Sequence, residues 1–147
     1  VGLGAIYGPT SEADALAAVH RALERGVNFI DTSPLYQASE RRIGLALQEL
    51  FNSGKLARKD LVLCSKVGDE CAPWSDNGGH SAFSREGVRC SVLNSLQNLG
   101  VERLDVVLLH DPTMAELEAF LEAETGGIAG LRELREEGQV DFFGIGC

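Results

Sequence analysis

The chain has 147 residues and carries 13 Lys and Arg against 22 Asp and Glu, a formal net charge of -9. That length suits a single compact domain with a real apolar core, and its scattered basic residues argue against a nucleic-acid binder, which needs Lys and Arg clustered on phosphates. No run approaches the roughly 18 apolar residues of a membrane span, and no basic start followed by an apolar stretch marks a secretory leader. Small molecules are therefore the expected partners, with neither nucleic acid nor membrane, and the cytoplasm the expected location. The four cysteines, Cys64, Cys71, Cys90 and Cys147, lack the paired short spacings of a zinc site and are too few for a disulfide scaffold, so they read as reduced, with no metal expected. The sequence begins at Val1 without an initiator Met and stops at Cys147 straight after a strand-like run, so both ends read as cut.

Ser11-Glu12-Ala13-Asp14 is a capping-box-like helix start, followed by Leu16, Val19, Ala22 and Leu23 on one face and stopped by Gly26. A short β-favouring run, Val27 to Ile30, then leads into the polar cluster Asp31-Thr32-Ser33-Pro34. The second helix is expected from Ser39 to Phe51, and Leu61 to Ser65 is the next strand. From Val67 to Ala82 the composition shifts to Gly, Asp, Pro, Asn and Ser, which predicts a long irregular loop. Ser84 to Leu99 has helical spacing and ends at Gly100; Leu104 to Leu109 is nearly all apolar and reads as a strand buried on both faces. A last helical region, Met114 to Glu137, is expected to break at Gly126-Gly127 and to lead through Gly138 into Val140 to Gly144.

The recurring unit of helix, Gly, short apolar strand and polar loop is an internal βα repeat. It implies a parallel sheet with right-handed crossovers, as a barrel or as an open doubly wound sheet. A dinucleotide-binding open sheet calls for a Gly-rich fingerprint leading into the first helix, and Gly2-Leu3-Gly4-Ala5-Ile6-Tyr7-Gly8 lacks that spacing. The barrel is favoured.

In parallel α/β folds the chemistry sits at the C-terminal ends of the strands. Asp31 closes one strand, with Tyr36 in the loop behind it; Lys66 closes the next and His110 the third. Each has a structural reading when taken singly: a turn cap, a rim aromatic, a solvated strand end, a loop-bonding imidazole. Together on successive strand ends they read as one constellation. A tyrosine at the ordinary pKa of about 10 is a poor general base at neutral pH, and a neighbouring ammonium favours the phenolate. An aspartate paired with the lysine keeps that ammonium charged, and a neutral imidazole can donate to a substrate oxygen. Such a group moves a proton to or from a carbonyl or alcohol oxygen. With no nucleophile or metal cluster in evidence, its simplest partner reaction is hydride transfer with a nicotinamide.

Four segments, GVNFIDTSPLYQASE (Gly26 to Glu40), LVLCSKVG (Leu61 to Gly68), LDVVLLHDP (Leu104 to Pro112) and LRELREEGQVDFFGIG (Leu131 to Gly146), resemble successive signature blocks of the aldo-keto reductases. The resemblance implies a (β/α)8 TIM-type barrel cut to about its first five strands and four helices, with residues 1–147 forming one oxidoreductase domain incomplete at its C-terminus. It implies a catalytic tetrad of Asp31, Tyr36, Lys66 and His110, and NAD or NADP as cofactor. Asp31 would also contact the cofactor, and Tyr36, His110 and Trp74 the substrate. His110-Asp111-Pro112 and Gly144-Ile145-Gly146 are most similar to the sugar dehydrogenase branch, which implies oxidation of an aldose of the L-galactose or L-fucose type at its anomeric carbon. The alternatives are a non-catalytic fragment or a regulatory subunit of the same fold. Two departures from the family pattern stand out: Gln37 follows the tyrosine where Gly is common, and Gly146-Cys147 replaces a Ser-Asn pair that often contacts the nicotinamide amide.

Overall fold

The computed structural model of the chain describes residues 2–68 and 81–146. Its strands are β1 (Phe29–Asp31), β2 (Val62–Val67), β3 (Leu104–His110) and β4 (Val140–Gly146), all parallel in the order β1-β2-β3-β4. Five α-helices accompany them: α1 (Glu12–Glu24), α2 (Ser39–Asn52), α3 (Arg85–Leu99), α4 (Met114–Phe120) and α5 (Gly127–Glu136). Of the roughly five strands and four helices expected, four strands are among the described residues; the Gly-rich run ahead of α1 forms a 3₁₀ turn over Gly2–Gly4. The extra helix comes from the break at Gly126, where a Cβ would lie 2.4 Å from the Phe120 carbonyl oxygen and so could not be accommodated.

Local chemistry sets the helix starts. Ser11 accepts from the Asp14 N–H, Ser84 from the Gly87 N–H, and Thr113 forms a full capping box with Glu116, each satisfying amides that the first turn leaves unpaired. The strand alternation then divides the sheet into two faces. Leu63, Val67, Val107 and Leu109 turn toward the helices and pack with Ile43, Leu47, Val88, Val92, Leu96, Leu99, Leu131 and Leu134 in one buried cluster. Charged residues tie the helices outside it, as Arg85 and Arg89 of α3 pair with Glu133 beneath them on α5.

A polar insert interrupts this apolar layer. Glu40, at the start of α2, is 2% exposed, and its carboxylate accepts from Ser65 Oγ at 2.7 Å and from Asn98 Nδ2 at 3.2 Å. Burying a carboxylate is tolerable only with such partners, and the first helical turn adds favourable amide dipoles. Because Ser65 and Lys66 are neighbours on opposite faces of β2, this insert anchors the helix side of the strand just where Lys66 leaves the other side. Asp105 plays a similar part between strands: it accepts from the Leu63 N–H at 2.7 Å and pairs with Arg58. Asp105 lies at the start of β3, at the end of the sheet away from the mouth. Among the described residues, no helix is long and apolar enough to cross a membrane.

Candidate active site

The face turned away from the helices carries the strand-end residues. In the pairing register Asp31 lies beside Cys64, Lys66 beside Leu108 and His110 beside Gly146, so side chains from three neighbouring strands emerge on one side at the C-terminal end of the sheet. Tyr36 joins them from the turn after β1, held by its own N–H bonding the Ser33 carbonyl at 3.0 Å. The structure thus brings Asp31, Tyr36, Lys66 and His110 together. Trp74 lies outside the described residues, as does most of the loop expected between Val67 and Ala82.

The Lys66 ammonium is buried and donates to both carboxylate oxygens of Asp31, the longer contact being 2.8 Å, and to the Thr32 carbonyl at 3.0 Å. Those bonds use all three of its protons. Its position over the Tyr36 ring, 5.2 Å from the centroid, is therefore a cation–π contact, in which the ammonium is the neighbouring charge and no proton of it is directed at the phenol. Tyr36 and His110 meet edge to face with ring centroids 5.6 Å apart, and the far side of the imidazole is held by Ser33, whose Oγ lies 3.1 Å from Nδ1. Beyond His110 the chain turns at Asp111, which is left-handed at φ 46, a conformation Asp tolerates better than most residues.

Two further features shape the Tyr36 loop. Gly4 packs so closely that a Cβ there would lie 1.7 Å from the Tyr36 carbonyl oxygen, so the N-terminal turn can close on the loop only as glycine. Gln37, exposed at φ 51, occupies left-handed backbone space. Glycine adopts this backbone freely and Gln adopts it under strain, which gives a physical sense to the glycine that the resemblance led one to expect here.

Cys64 is buried next to this ion pair, as the register partner of Asp31. Burial pushes its thiol from the ordinary 9.0 up to about 11, with the Asp31 charge adding to the rise and Lys66 opposing it. The folded protein therefore holds this proton where the unfolded chain would release it. The stabilisation is complete below about 9 and is lost as pH rises through about 11. Iodoacetamide labelling of native protein, mapped by mass spectrometry, is expected to leave Cys64 unmodified at pH 8, where the thiolate is scarce; rapid labelling of a folded sample there would contradict this.

The sequence profile of the Aldo/keto reductase family matches residues 1–146. The chain belongs to the aldo/keto reductase family. L-galactose dehydrogenase of Arabidopsis thaliana is 34% identical over 145 residues, covering 97% of this chain and 41% of that protein. D-threo-aldose 1-dehydrogenase of a Pseudomonas species is 29% identical over 163 residues, covering 98% of this chain and 47% of that protein. Among solved structures, the holo form of an aldo-keto reductase from Bacillus halodurans matches with a TM-score of 0.70 at 28% identity, covering 93% of this chain and 42% of that one. Another family member, complexed with NADPH, matches with a TM-score of 0.66 at 26% identity, covering 89% of this chain and 37% of that one. The chain spans less than half the length of these relatives, and its parallel βα units correspond to that share of a (β/α)8 barrel. Sequence reasoning placed Asp31, Lys66 and His110 at strand ends, where the structure has them, but missed the contacts of Ser33 and Glu40. Ser33 reads as an ordinary turn residue before Pro34, and Glu40 as one more charge in a helix's first turn.

Proposed function

We propose that the protein carrying this chain is an NAD(P)-dependent oxidoreductase that oxidises the anomeric C–OH of an aldose, with Tyr36 as general acid-base. The observation that supports it most is the convergence of Tyr36, His110 and the Asp31–Lys66 pair on one end of the sheet, in a chain whose relatives include sugar 1-dehydrogenases. Gly144 and Gly146 leave the neighbouring stretch of β4 without side chains of its own on the face that carries His110, and the Leu108 side chain leans over it, 3.2 Å from where a Cβ on Gly146 would stand. Asp31 would contact the nicotinamide end of the cofactor. When bound, the nicotinamide accepts the hydride from the sugar carbon.

The chain's own residues handle the proton and the orientation. His110 donates to the sugar oxygen and fixes it next to the Tyr36 hydroxyl. Tyr36, as phenolate, takes the hydroxyl proton as the C–O bond becomes a carbonyl, and returns it in the reverse reaction. Lys66, charged and aimed by Asp31, stabilises the negative charge that the phenol oxygen carries between those transfers.

Mixing the intact protein with NAD or NADP and L-galactose or L-fucose is expected to produce reduced nicotinamide and the matching lactone in equal amounts. Cofactor binding without turnover of any aldose, or of any aldehyde in reverse, would instead favour a regulatory role for the fold.

A further inference from the structure

We propose that Ser33 is a positioning residue that holds the His110 imidazole in its Nε2–H tautomer, so that the ring nitrogen remote from Ser33 is the one that carries a proton. The proposal's use in catalysis rests on the reading above that His110 donates to the substrate oxygen.

One buried hydroxyl decides the tautomer. Ser33 is 0% exposed, so neither its proton nor its lone pairs can be satisfied by bulk water. A serine hydroxyl offers one proton and two lone pairs. The Leu35 N–H donates to Oγ at 3.1 Å, the turn in which a serine side chain accepts from the amide two residues on, and Pro34 between them has no N–H to compete. The other contact of Oγ among the described residues is His110 Nδ1 at 3.1 Å. If Nδ1 carried the ring proton, Oγ would accept twice and its own proton would be buried with no acceptor. With Nδ1 accepting, the Leu35 amide, the Ser33 hydroxyl and Nδ1 are all matched. A neutral imidazole has one proton, so it then sits on Nε2. The chain of bonds runs from the Leu35 amide through Ser33 Oγ to Nδ1, and sets the far nitrogen as a donor. Ser33 can do this reliably because its backbone is fixed: its carbonyl accepts from the Tyr36 N–H, so the tyrosine and the tautomer of the histidine are set by a single turn.

The test is spectroscopic and independent of turnover. In the intact protein labelled with ¹⁵N-histidine and observed with the ring neutral, long-range ¹H–¹⁵N correlations are expected to show His110 as a single Nε2–H tautomer. Its signals are assigned by their loss in His110→Gln. Ser33→Ala should give a mixture of the two tautomers, and Ser33→Thr, which keeps the hydroxyl, should restore one. An Nδ1–H pattern in the parent protein, or an unchanged spectrum in Ser33→Ala, overturns the proposal. In turnover, Ser33→Ala should lower kcat by up to about tenfold, the factor one net hydrogen bond supports, with cofactor affinity unchanged and Ser33→Thr recovering most of the loss. An Nε2–H signature in a protein without redox activity would leave the role of Ser33 standing and sink only the reading of the reaction.

Discussion

Replacing Tyr36 by Phe in the intact protein is expected to lower kcat for aldose oxidation by about 10²–10⁴, the usual contribution of a positioned general acid-base. The substitution is clean because of where the hydroxyl sits. Among the described residues the Tyr36 oxygen has no hydrogen-bond partner, so its removal leaves no orphaned donor or acceptor behind. The ring's contacts survive: the edge-to-face packing on His110 at 5.6 Å and the Lys66 ammonium over the ring at 5.2 Å both need only the aromatic face. Stability of the Phe variant, measured as a urea midpoint, should therefore match the parent while turnover collapses. A variant with nearly parental kcat, hydride transfer being rate-limiting, would mean that another group moves the proton.

Much of this site was legible before any coordinates, and the reason is geometric. In a parallel βα sheet a residue that closes a short apolar run lies at the mouth, so Asp31, Lys66 and His110 could be placed from strand boundaries alone, and the structure puts all three on one face. What was not legible depends on partners far apart in sequence. Lys66 was expected beside the tyrosine and paired with Asp31, and it is, but the Thr32 carbonyl takes its third proton, and no local pattern announces a backbone acceptor in another strand's loop. Glu40 has the pattern of a solvated helix-start charge. It is buried because Asn98 and Ser65, from a different helix and a strand, meet it there. Ser33 shows the same limit: the Ser-Pro pair announces a turn, while the imidazole that gives the hydroxyl its role comes from β3. Where the helical region after Met114 breaks was visible, since two adjacent glycines are a local signal, and the count of strands was less so, because a Gly-rich run with scattered apolar residues fits a strand or a 3₁₀ turn equally well.

The 147-residue chain expressed alone is expected to show no measurable dehydrogenase turnover, weak or no NAD(P) binding, and concentration-dependent self-association. The sheet has β1 and β4 as its outermost strands, each paired on one side among the described residues, and an unpaired strand edge is a template for pairing with another chain. The apolar surface follows the same edges. Phe142 and Ile145 of β4 are 66% and 51% exposed, Phe29 of β1 is 53% exposed, and an apolar groove of about 340 Å³ runs along β1 from Leu3 and Leu23 to Asp31. Exposed patches of this kind drive association unless something covers them. The consequence for the site is direct, because Asp31 stands on the outermost strand β1 with its carboxylate half exposed, and β4 beside His110 is the outermost described strand on the other side. A cofactor bound there would be held from one side, and the relatives this chain matches are more than twice as long as it is. Sedimentation velocity across a range of concentrations, with nicotinamide titrated in parallel, decides the matter: a monomer that oxidises L-galactose or L-fucose as fast as a full-length relative would show that four strands build a complete site.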